Sequence, residues 1–448
     1  MRSASPAPGR VRPDFVPGEF YHSPEVARLE NARLWPRVWL IACREEEIRA
    51  SGDFVKFDIA GESILVLRAG AGIKAYYNVC QHRGRRLKDH ACGNTGRSLY
   101  CRFHGWRWNI DGSIASVLDR EDWNGCADFD DAALRLKEVR VDTWAGWVWI
   151  SMDPDIAPLA QYLDPVPRFL DPFEFEHCRF GWYKTLVMPC NWKLALDAFN
   201  EGYHVEATHS QMLKWGTPKS AATAHGLHGQ FWYPPAQAEA FGTYGEAGGA
   251  QPVDTAPICQ GLLAYHEEAM ATLKALVSRH SLAALRRLVQ ECPPRVTYAD
   301  IIARYRALHR EETLAAGARW PEGLTEAAIQ AAGVDWHIFP NTIVLPSPDG
   351  ALWYRARPNG DDPASCIYDV WWLERYAPGA EPELRRDFYP DTASFAGQNP
   401  FLEQDFANLA SVQQGVRSRG FAGARTNPVQ EVAISNFHRG IERFIQRA

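Results

Sequence analysis

The sequence predicts an α+β fold in two parts, a small all-β unit followed by a larger unit whose sheet carries helices on one face. Two observations support this prediction. Short β-type runs separated by Gly and Asp turns occupy residues 38–155, a pattern typical of a small antiparallel domain. Within residues 156–448, strand-like runs occur together with helical stretches rich in Ala, Leu, Arg and Glu, which suits a mixed sheet with helices on one face.

A helical segment, residues 1–37, is expected to precede the β unit and to pack on the larger unit. Residues 19–35 have the pattern of a short amphipathic helix. Ser23 followed by Pro24 fits an N-cap with proline at the first helical position. The sequence therefore predicts helical structure before the first sheet begins.

The larger unit follows a Pro- and Asp-rich connector at residues 152–167. Its strands and helices are expected from the change between alternating β-type runs and helical stretches. In chain order they are a strand at 178–192, a helix at 193–204, two or three helices within 257–332, a hairpin at 337–358 turning at Asp349 and Gly350, a strand at 366–376, and helices at 400–416 and 428–447.

Composition and charge exclude several classes of partner. The chain of 448 residues has a formal net charge of −6, which gives no reason to expect a nucleic acid or an anionic membrane as partner. The first residues lack the apolar core of a secretory signal, and no run approaches the roughly 18 apolar residues that a membrane span needs. We therefore expect a cytoplasmic protein, in which most of the ten cysteines are reduced thiols.

Two of the cysteines differ from the rest because histidines stand beside them. Cys80-Gln-His82 and Cys101-Arg-Phe-His104 each follow a β-type run. This is not the spacing of a zinc finger, which pairs two cysteines and then two histidines. Two thiolates and two imidazoles fit a [2Fe–2S] cluster, because imidazole makes the cluster less negative and raises its reduction potential. A structural zinc site is the alternative that the spacing leaves open.

A second group of candidate ligands lies in the segment from Glu201 to His209. His204 and His209 are five residues apart, so on a regular α-helix their side chains would point roughly 140° apart. They can share a metal only if the helix ends or takes a π-turn between them. Two histidines with one distant carboxylate form the facial triad of O₂-activating ferrous enzymes. Two structural histidines are the alternative that this spacing leaves open.

The motifs CQHRG and CRFHGW resemble the Rieske motif of the Rieske non-haem iron oxygenases, the aromatic ring-hydroxylating family. The run NWKL…EGYHVEATH resembles the catalytic signature of the α subunits of the same family. This resemblance implies a Rieske domain at residues 38–155 and a helix-grip catalytic domain at 156–448. It also assigns Cys80 and Cys101 to one iron of the cluster, and His82 and His104 to the other.

The resemblance also suggests the remaining ligands of the mononuclear iron. The family has an aspartate late in the chain, on a helix that leads to a Gln-x-Gly stretch, and here the matching residue is Asp405, with Glu403 as the second choice. Glu201 stands where the family usually has an aspartate that joins the two metal centres. A glutamate at that position is a variant that we associate with carnitine- and betaine-type oxygenases.

What the resemblance implies about function is an O₂-dependent hydroxylation of an aromatic compound. The implied cofactors are one [2Fe–2S] cluster and one mononuclear Fe²⁺ per chain. Because the chain has no GxGxxG nucleotide-binding signature, its electrons would come from a ferredoxin or a flavin-dependent NAD(P)H reductase. A homotrimer is expected, with or without β subunits. The alternatives are a demethylating or quaternary-amine Rieske monooxygenase, a Rieske electron-transfer protein without oxygenase activity, and a binding module without cofactors.

Overall fold

The computed structural model describes residues 9–216, 219–234 and 251–446. The chain divides into two compact units, one formed by Leu29–Tyr162 and the other by Met1–Arg28 together with Leu163–Ala448. Residues 1–8 of the expected N-terminal segment lie outside the described residues.

The N-terminal segment contains two short helices instead of the single helix expected over residues 19–35. Strand β1 (Val16–Pro17) is followed by helices α1 (Glu19–His22) and α2 (Pro24–Arg33). The Ser23 hydroxyl accepts a hydrogen bond from the Val26 N–H at 3.4 Å, so α2 begins at the serine–proline pair that the sequence indicated. Strand β1 pairs with Gly423–Ala424 near the end of the chain.

The sheets of the smaller unit are antiparallel, as predicted. Seven of its strands form one sheet in the order β2-β11-β10-β5-β4-β3-β6, and three form a second sheet in the order β7-β8-β9. The strand bounds are Leu40–Arg44 (β2), Asp53–Ile59 (β3), Glu62–Ala69 (β4), Gly72–Tyr77 (β5), Cys92–Asn94 (β6), Ser98–Tyr100 (β7), Arg107–Asn109 (β8), Ile114–Ser116 (β9), Glu138–Trp144 (β10) and Trp147–Ser151 (β11). The unit ends with helix α3, Leu159–Tyr162.

A hydrophobic core holds the two predicted cluster loops in place. One loop follows β5 and the other connects β7 to β8. Cys80 and Cys101 are buried in the same core as Tyr76, Trp106 and Trp108. The two cysteines are therefore fixed by packing, and the residues that follow them emerge at the end of the sheets.

The larger unit is built on an eight-stranded sheet in the order β13-β14-β17-β18-β19-β20-β12-β21. Its pairs are antiparallel except for β12 with β21, so the predicted mixed sheet is confirmed. The strand bounds are Arg179–Met188 (β12), Ala221–His225 (β13), His228–Trp232 (β14), Asp335–Ile338 (β17), Thr342–Ser347 (β18), Gly350–Asn359 (β19), Asp362–Glu374 (β20) and Arg386–Tyr389 (β21). Two short pairings complete the strands, β15 (Val253–Asp254) with β16 (Arg295–Val296), and β22 (Gly423–Ala424) with β1.

The larger unit also contains helices and helical turns. They are α4 (Val166–Leu170), α5 (Trp192–Asp197), α6 (Val205–Thr208), α7 (Thr255–Thr272), α8 (Arg279–Glu291), α9 (Tyr298–Ala315), α10 (Glu326–Ala332), α11 (Pro400–Gly415) and α12 (Val432–Gln446). The prediction of one helix over 193–204 is wrong, because α5 already ends at Asp197 and α6 begins at Val205. Across the described ranges, no helix combines the length and the apolar character needed to cross a bilayer.

One face of the larger sheet packs against the elements that carry the candidate metal ligands. Side chains alternate between the two faces along a strand, and the register places Asp335, Tyr354 and Tyr368 on the same face. On this face, the ring of Phe199, which follows α5, lies 4.7 Å from that of Tyr354, and the ring of Phe406 on α11 lies 5.8 Å from that of Tyr368. The sheet thus forms the floor beneath α5 and α11.

Two candidate metal centres

The two cluster loops of the smaller unit have the same backbone geometry. In each loop the cysteine carbonyl accepts a hydrogen bond from the glycine four residues later, at 3.0 Å for Cys80 and 3.1 Å for Cys101. The cysteine N–H then donates to the carbonyl five residues later, at 2.8 and 2.9 Å. Gly84 and Gly105 have φ values of +74° and +75°, a conformation that favours glycine. The local sequence therefore folds each Cys…His…Gly motif into the same tight loop.

The side chains of these loops converge on one point with unsatisfied donor atoms. The rings of His82 and His104 have centroids 4.6 Å apart, and the ring of His82 stacks on that of Trp106 at 4.8 Å. The Nδ1 atoms of both histidines are buried and have no hydrogen-bond partner among the described residues. Burial raises the pKa of the Cys80 thiol, and contact with Cys101 raises it further. Two thiols and two orphaned imidazole nitrogens fit the donor set of a Rieske cluster.

The second centre lies where the chain leaves α5. The Asn191 side chain caps α5 by accepting a hydrogen bond from the Lys193 N–H at 3.1 Å. After α5, an irregular stretch leads to His204, which immediately precedes the four-residue helix α6. His209 follows α6 with φ −110° and ψ 50°, which is no longer helical. The helix does end between the two histidines, as the sharing of one metal required.

Three side chains meet at this second centre. The Nε2 atom of His209 lies 3.0 Å from Oδ1 of Asp405, and the Nε2 atom of His204 lies 3.5 Å from the same oxygen. One donor atom from each residue lies within 4.8 Å of the other two. His209 and Asp405 are buried and His204 is partly exposed. Two imidazole nitrogens and one carboxylate oxygen fit the facial triad of a ferrous centre.

Each histidine of the triad is oriented by a hydrogen bond to its other ring nitrogen. The Nδ1 atom of His204 lies 2.7 Å from Oε1 of Glu201, and the Nδ1 atom of His209 lies 2.7 Å from Oε1 of Gln404. Because both oxygens act as acceptors here, each Nδ1 carries the proton and each Nε2 presents a lone pair. Both free nitrogens point at the same place, which is the arrangement that a metal ion needs.

Glu201 contacts His204 through a turn and not across the face of a helix. Its Oε2 accepts hydrogen bonds from the backbone N–H groups of Tyr203 and of His204, the second at 3.0 Å. Burial lowers the pKa of His204, but the hydrogen bond to Glu201 and the negative charges of Glu201 and Asp405 outweigh it, so the pKa is raised. The glutamate therefore holds both the backbone and the ring of His204.

Asp405 and the second choice, Glu403, have different positions on α11. Asp405 points into the triad, whereas Oε1 of Glu403 accepts a hydrogen bond from the Asn399 N–H at 3.1 Å and so serves the start of the helix. Sequence reasoning missed Gln404, and also Phe401, whose ring stacks on that of His209 at 4.0 Å. In the sequence only their positions could have indicated a role, because Gln404 adjoins Asp405 and Phe401 precedes it by one helical turn.

Comparison with known families matches both units. Residues 175–447 match the family described as ring hydroxylating alpha subunit (catalytic domain). Residues 38–123 match the Rieske [2Fe-2S] domain. The first match contains the triad of the second centre, and the second match contains both cluster loops.

Curated relatives align with this chain over part of their length. The chain is 29% identical over 200 residues to the glycine betaine monooxygenase oxygenase subunit of Pseudomonas aeruginosa, an alignment that covers 44% of this chain and 46% of that protein. It is 32% identical over 200 residues to the anthranilate 1,2-dioxygenase large subunit of Acinetobacter baylyi, which covers 43% of this chain and 41% of that protein. The chain thus spans a little under half the length of these two curated relatives.

Solved structures share the fold over nearly the whole chain. A quaternary ammonium Rieske monooxygenase in complex with L-carnitine superposes with a TM-score of 0.64 at 17% identity and covers 97% of both chains. The naphthalene 1,2-dioxygenase of Rhodococcus sp. bound to indole superposes with a TM-score of 0.61 at 18% identity and covers 96% of this chain and 94% of the other. At these identities the likeness concerns the fold.

Proposed function

Because the chain belongs to the family of ring-hydroxylating alpha subunits of Rieske oxygenases, we propose that it is the catalytic subunit of an oxygenase that uses O₂ to hydroxylate an aromatic compound. The observation that carries the proposal is the triad of His204, His209 and Asp405, with donor atoms within 4.8 Å of one another. A Rieske cluster alone would serve electron transfer, whereas a facial triad adds a centre that can react with O₂.

The two sets of donor atoms suggest which residues would bind each metal cofactor. Cys80, Cys101, His82 and His104 would hold the [2Fe–2S] cluster, and His204, His209 and Asp405 would hold the mononuclear iron. When bound, these groups supply one-electron transfer and the activation of O₂. Two neutral imidazoles and one carboxylate leave a ferrous site with a net charge of about +1, and three protein ligands leave coordination positions open.

Glu201 is proposed to connect the centres of neighbouring copies of the chain. Three donors already bind its carboxylate, the ring Nδ1–H of His204 and the backbone N–H groups of Tyr203 and His204. An ionised carboxylate has about four acceptor positions, so one remains for His104 of a neighbouring copy. His104 is partly exposed although its Nδ1 is buried. A connection between copies requires a closed ring, and we propose a homotrimer.

The electron donor is proposed to be a separate protein. A ferredoxin, or a flavin-dependent NAD(P)H reductase, would reduce the cluster one electron at a time in the cytoplasm. No nucleotide-binding signature occurs in the sequence that would let this chain use NAD(P)H by itself.

A second candidate function is a monooxygenase that acts on a quaternary amine. The observation that favours it is Glu201. The family usually has an aspartate at this position, and a glutamate is the variant that we associate with carnitine- and betaine-type oxygenases. The relatives named for glycine betaine and carnitine oxidation are consistent with this candidate. In that reaction a C–H bond beside nitrogen, instead of a ring carbon, would be hydroxylated.

Iron content and mass of the reconstituted protein test the proposal. Three irons per chain, a Rieske electron paramagnetic resonance signal and a sedimenting trimer are expected. Two irons per chain with the same signal would instead identify an electron-transfer protein, and a colourless protein without iron would identify a binding module. A monomer with full activity would refute the ring of copies, and extra mass from a co-purifying small subunit would reveal β subunits.

A further inference from the structure

Asp335, at the start of β17, is a buried carboxylate with no basic side chain beside it in the part of the chain that the structure describes. It is 2% exposed, and its Oδ1 atom has no hydrogen-bond partner among the described residues. Burying a carboxylate without a partner is costly, and such groups normally pair with a cation or a donor. The burial of the Asp335 side chain without such a partner therefore requires an explanation.

Other buried aspartates of the same sheet do have partners. Oδ2 of Asp369 accepts a hydrogen bond from Nη2 of Arg355 at 2.6 Å. Oδ1 of Asp349 lies 2.8 Å from Nε2 of His309. Each of these two buried acids faces a basic side chain, and among the described residues Asp335 has no such partner.

Asp335 lies on the face of the sheet that packs against the elements of the mononuclear centre. The strand register puts it on the same face as Tyr354 and Tyr368, which packs against Phe199 and α11. Burial, Asp405 and Asp335 together raise the pKa of the Tyr354 hydroxyl well above its usual range, so this hydroxyl lies within electrostatic reach of both carboxylates. The uncompensated acid therefore lies on the face of the sheet that packs against α11, the helix that carries Asp405.

Aromatic rings and unused polar atoms lie on the same face of the sheet. The rings of Tyr354 and Tyr368 stack with centroids 5.8 Å apart, and the hydroxyl of Tyr368 is buried without a partner among the described residues. Burial and the negative charge of Glu201 raise the pKa of Asp335 well above its usual range. A positive charge placed here would reverse that effect, and aromatic rings also attract organic cations.

We propose that Asp335 is a specificity-determining residue that binds a positively charged nitrogen, and that the substrate of this oxygenase is an organic cation. The cation can be borne by an alkyl chain or by a substituent on an aromatic ring, since the carboxylate recognises only its charge. This inference rests on the proposed function in treating the bound cation as a substrate. The binding of the cation itself does not depend on turnover.

Two pairs of probes of equal shape test this inference by calorimetry with the iron-loaded protein. Choline is compared with its neutral carbon analogue 3,3-dimethylbutan-1-ol, and benzyltrimethylammonium with neopentylbenzene. We expect at least one cation to bind about tenfold or more tightly than its neutral analogue, because a buried charge pair would be formed. Which cation binds distinguishes an alkyl from an aromatic substrate.

The variant Asp335→Asn keeps the shape of the side chain and removes its charge. It should abolish the preference for the cation while leaving the iron content unchanged, and Asp335→Glu should retain part of it. The matched control Asp387→Asn, on the edge strand β21, should leave the preference intact. Neutral analogues that bind the wild-type protein as tightly as the cations would overturn the inference without any use of the variants.

The outcome also separates this inference from the proposed function. Charge-dependent binding lost in Asp335→Asn, with no oxygenated product from any probe, would support the cation site and contradict the oxygenase. Oxygenation of a neutral arene or an aromatic carboxylate, with no preference for the cations, would support the oxygenase and contradict the cation site. Tighter binding of an aromatic carboxylate such as anthranilate that is lost in Asp335→Asn would mean that Asp335 donates a proton to an anion, which overturns the inference.

Discussion

At the residue scale, the second centre depends on the atoms that hold its ligands as much as on the ligands themselves. Glu201 and Gln404 each accept a hydrogen bond from an imidazole Nδ1–H at 2.7 Å. Without these acceptors either ring nitrogen could carry the proton, and the lone pairs would no longer point reliably at one metal. Replacing Gln404 and replacing Glu201 should nevertheless have different effects on the enzyme.

Loss of the Gln404 acceptor should weaken the binding of the mononuclear iron. In Gln404→Leu the buried Nδ1–H of His209 has no acceptor, so we expect iron affinity at this centre to fall by about 10- to 100-fold. Equilibrium dialysis against a chelator measures the affinity. The Rieske signal should not change, and the control Gln414→Leu, at an exposed position of the same helix, should bind iron normally. Unchanged affinity in Gln404→Leu would contradict the orienting role.

Loss of the Glu201 charge should act on electron delivery. In Glu201→Gln the amide can still contact His204, but it is a poorer acceptor for a second imidazole. We expect both metal sites to be loaded and steady-state turnover to fall by about 100-fold or more. Stopped-flow reoxidation of the reduced cluster measures the step directly. Glu201→Asp should restore part of the rate. Normal turnover of Glu201→Gln with an intact cluster would contradict the proposed role of Glu201 in connecting the two centres.

The proposed cluster ligands could be nominated from sequence because all four lie in two short loops. Each Cys…His…Gly motif closes on itself through its own backbone hydrogen bonds, so residue spacing determines geometry. Gln404 and Asp335 carried no such signal. Their roles arise from contacts with residues distant in the chain, and no local pattern distinguishes either side chain from an ordinary helical or strand residue.

At the element scale, α5 shows why helix propensity alone was misleading. The run from Lys193 to His204 has helix-forming residues, yet the helix ends at Asp197. The carboxylate of Asp197 accepts a hydrogen bond from the Tyr21 hydroxyl at 2.8 Å and lies 2.9 Å from Nε2 of His438. These tertiary contacts join α1, α5 and α12, and tertiary context routinely overrides local propensity.

A buried His–Asp contact attaches α9 to the turn of the β18–β19 hairpin. Asp349 is almost fully buried, and burial would raise its pKa, but His309 and the hydroxyls of Ser278 and Ser281 lower it to about 2. A carboxyl whose pKa is depressed on folding contributes stability above its unfolded pKa of 3.8, and that stability is lost as pH falls toward 2. The contribution of the ionised carboxyl should therefore be complete at pH 5 and shrink as pH falls toward 2.

The variant Asp349→Asn measures this contribution. We expect the free energy of unfolding to fall by about 2–3 kcal/mol at pH 5, and this difference from the wild type to shrink as pH falls from 5 toward 2, in urea titrations followed by tryptophan fluorescence. The control Glu322→Gln, at an exposed position, should leave stability unchanged. A difference that disappears as pH falls from 6 to 5 would mean that the Asp349 carboxyl titrates in that range, which contradicts a depressed pKa.

At the scale of the whole molecule, the architecture was predictable and the substrate was not. The two motifs identify a family, and the family implies a β domain and a mixed sheet with helices. By contrast, the residues beside the triad come from separate strands, Asp335 on β17, Tyr354 on β19 and Tyr368 on β20. Only the pairing of those strands in the sheet brings them to one face, so the sequence contains no motif for the substrate.

The activity proposed for this chain is the use of O₂ and stored electrons to oxygenate an organic molecule. The decisive experiment is one anaerobic single turnover of the pre-reduced protein, with ¹⁸O₂ admitted to a mixture of aromatic acids, polycyclic arenes, methoxyarenes and quaternary amines and the products read by mass spectrometry. We expect ¹⁸O in a product, with one or two labels distinguishing mono- from dioxygenation. Oxidation of the cluster with no labelled product, no formaldehyde and no cleaved amine would show that the chain is not an oxygenase.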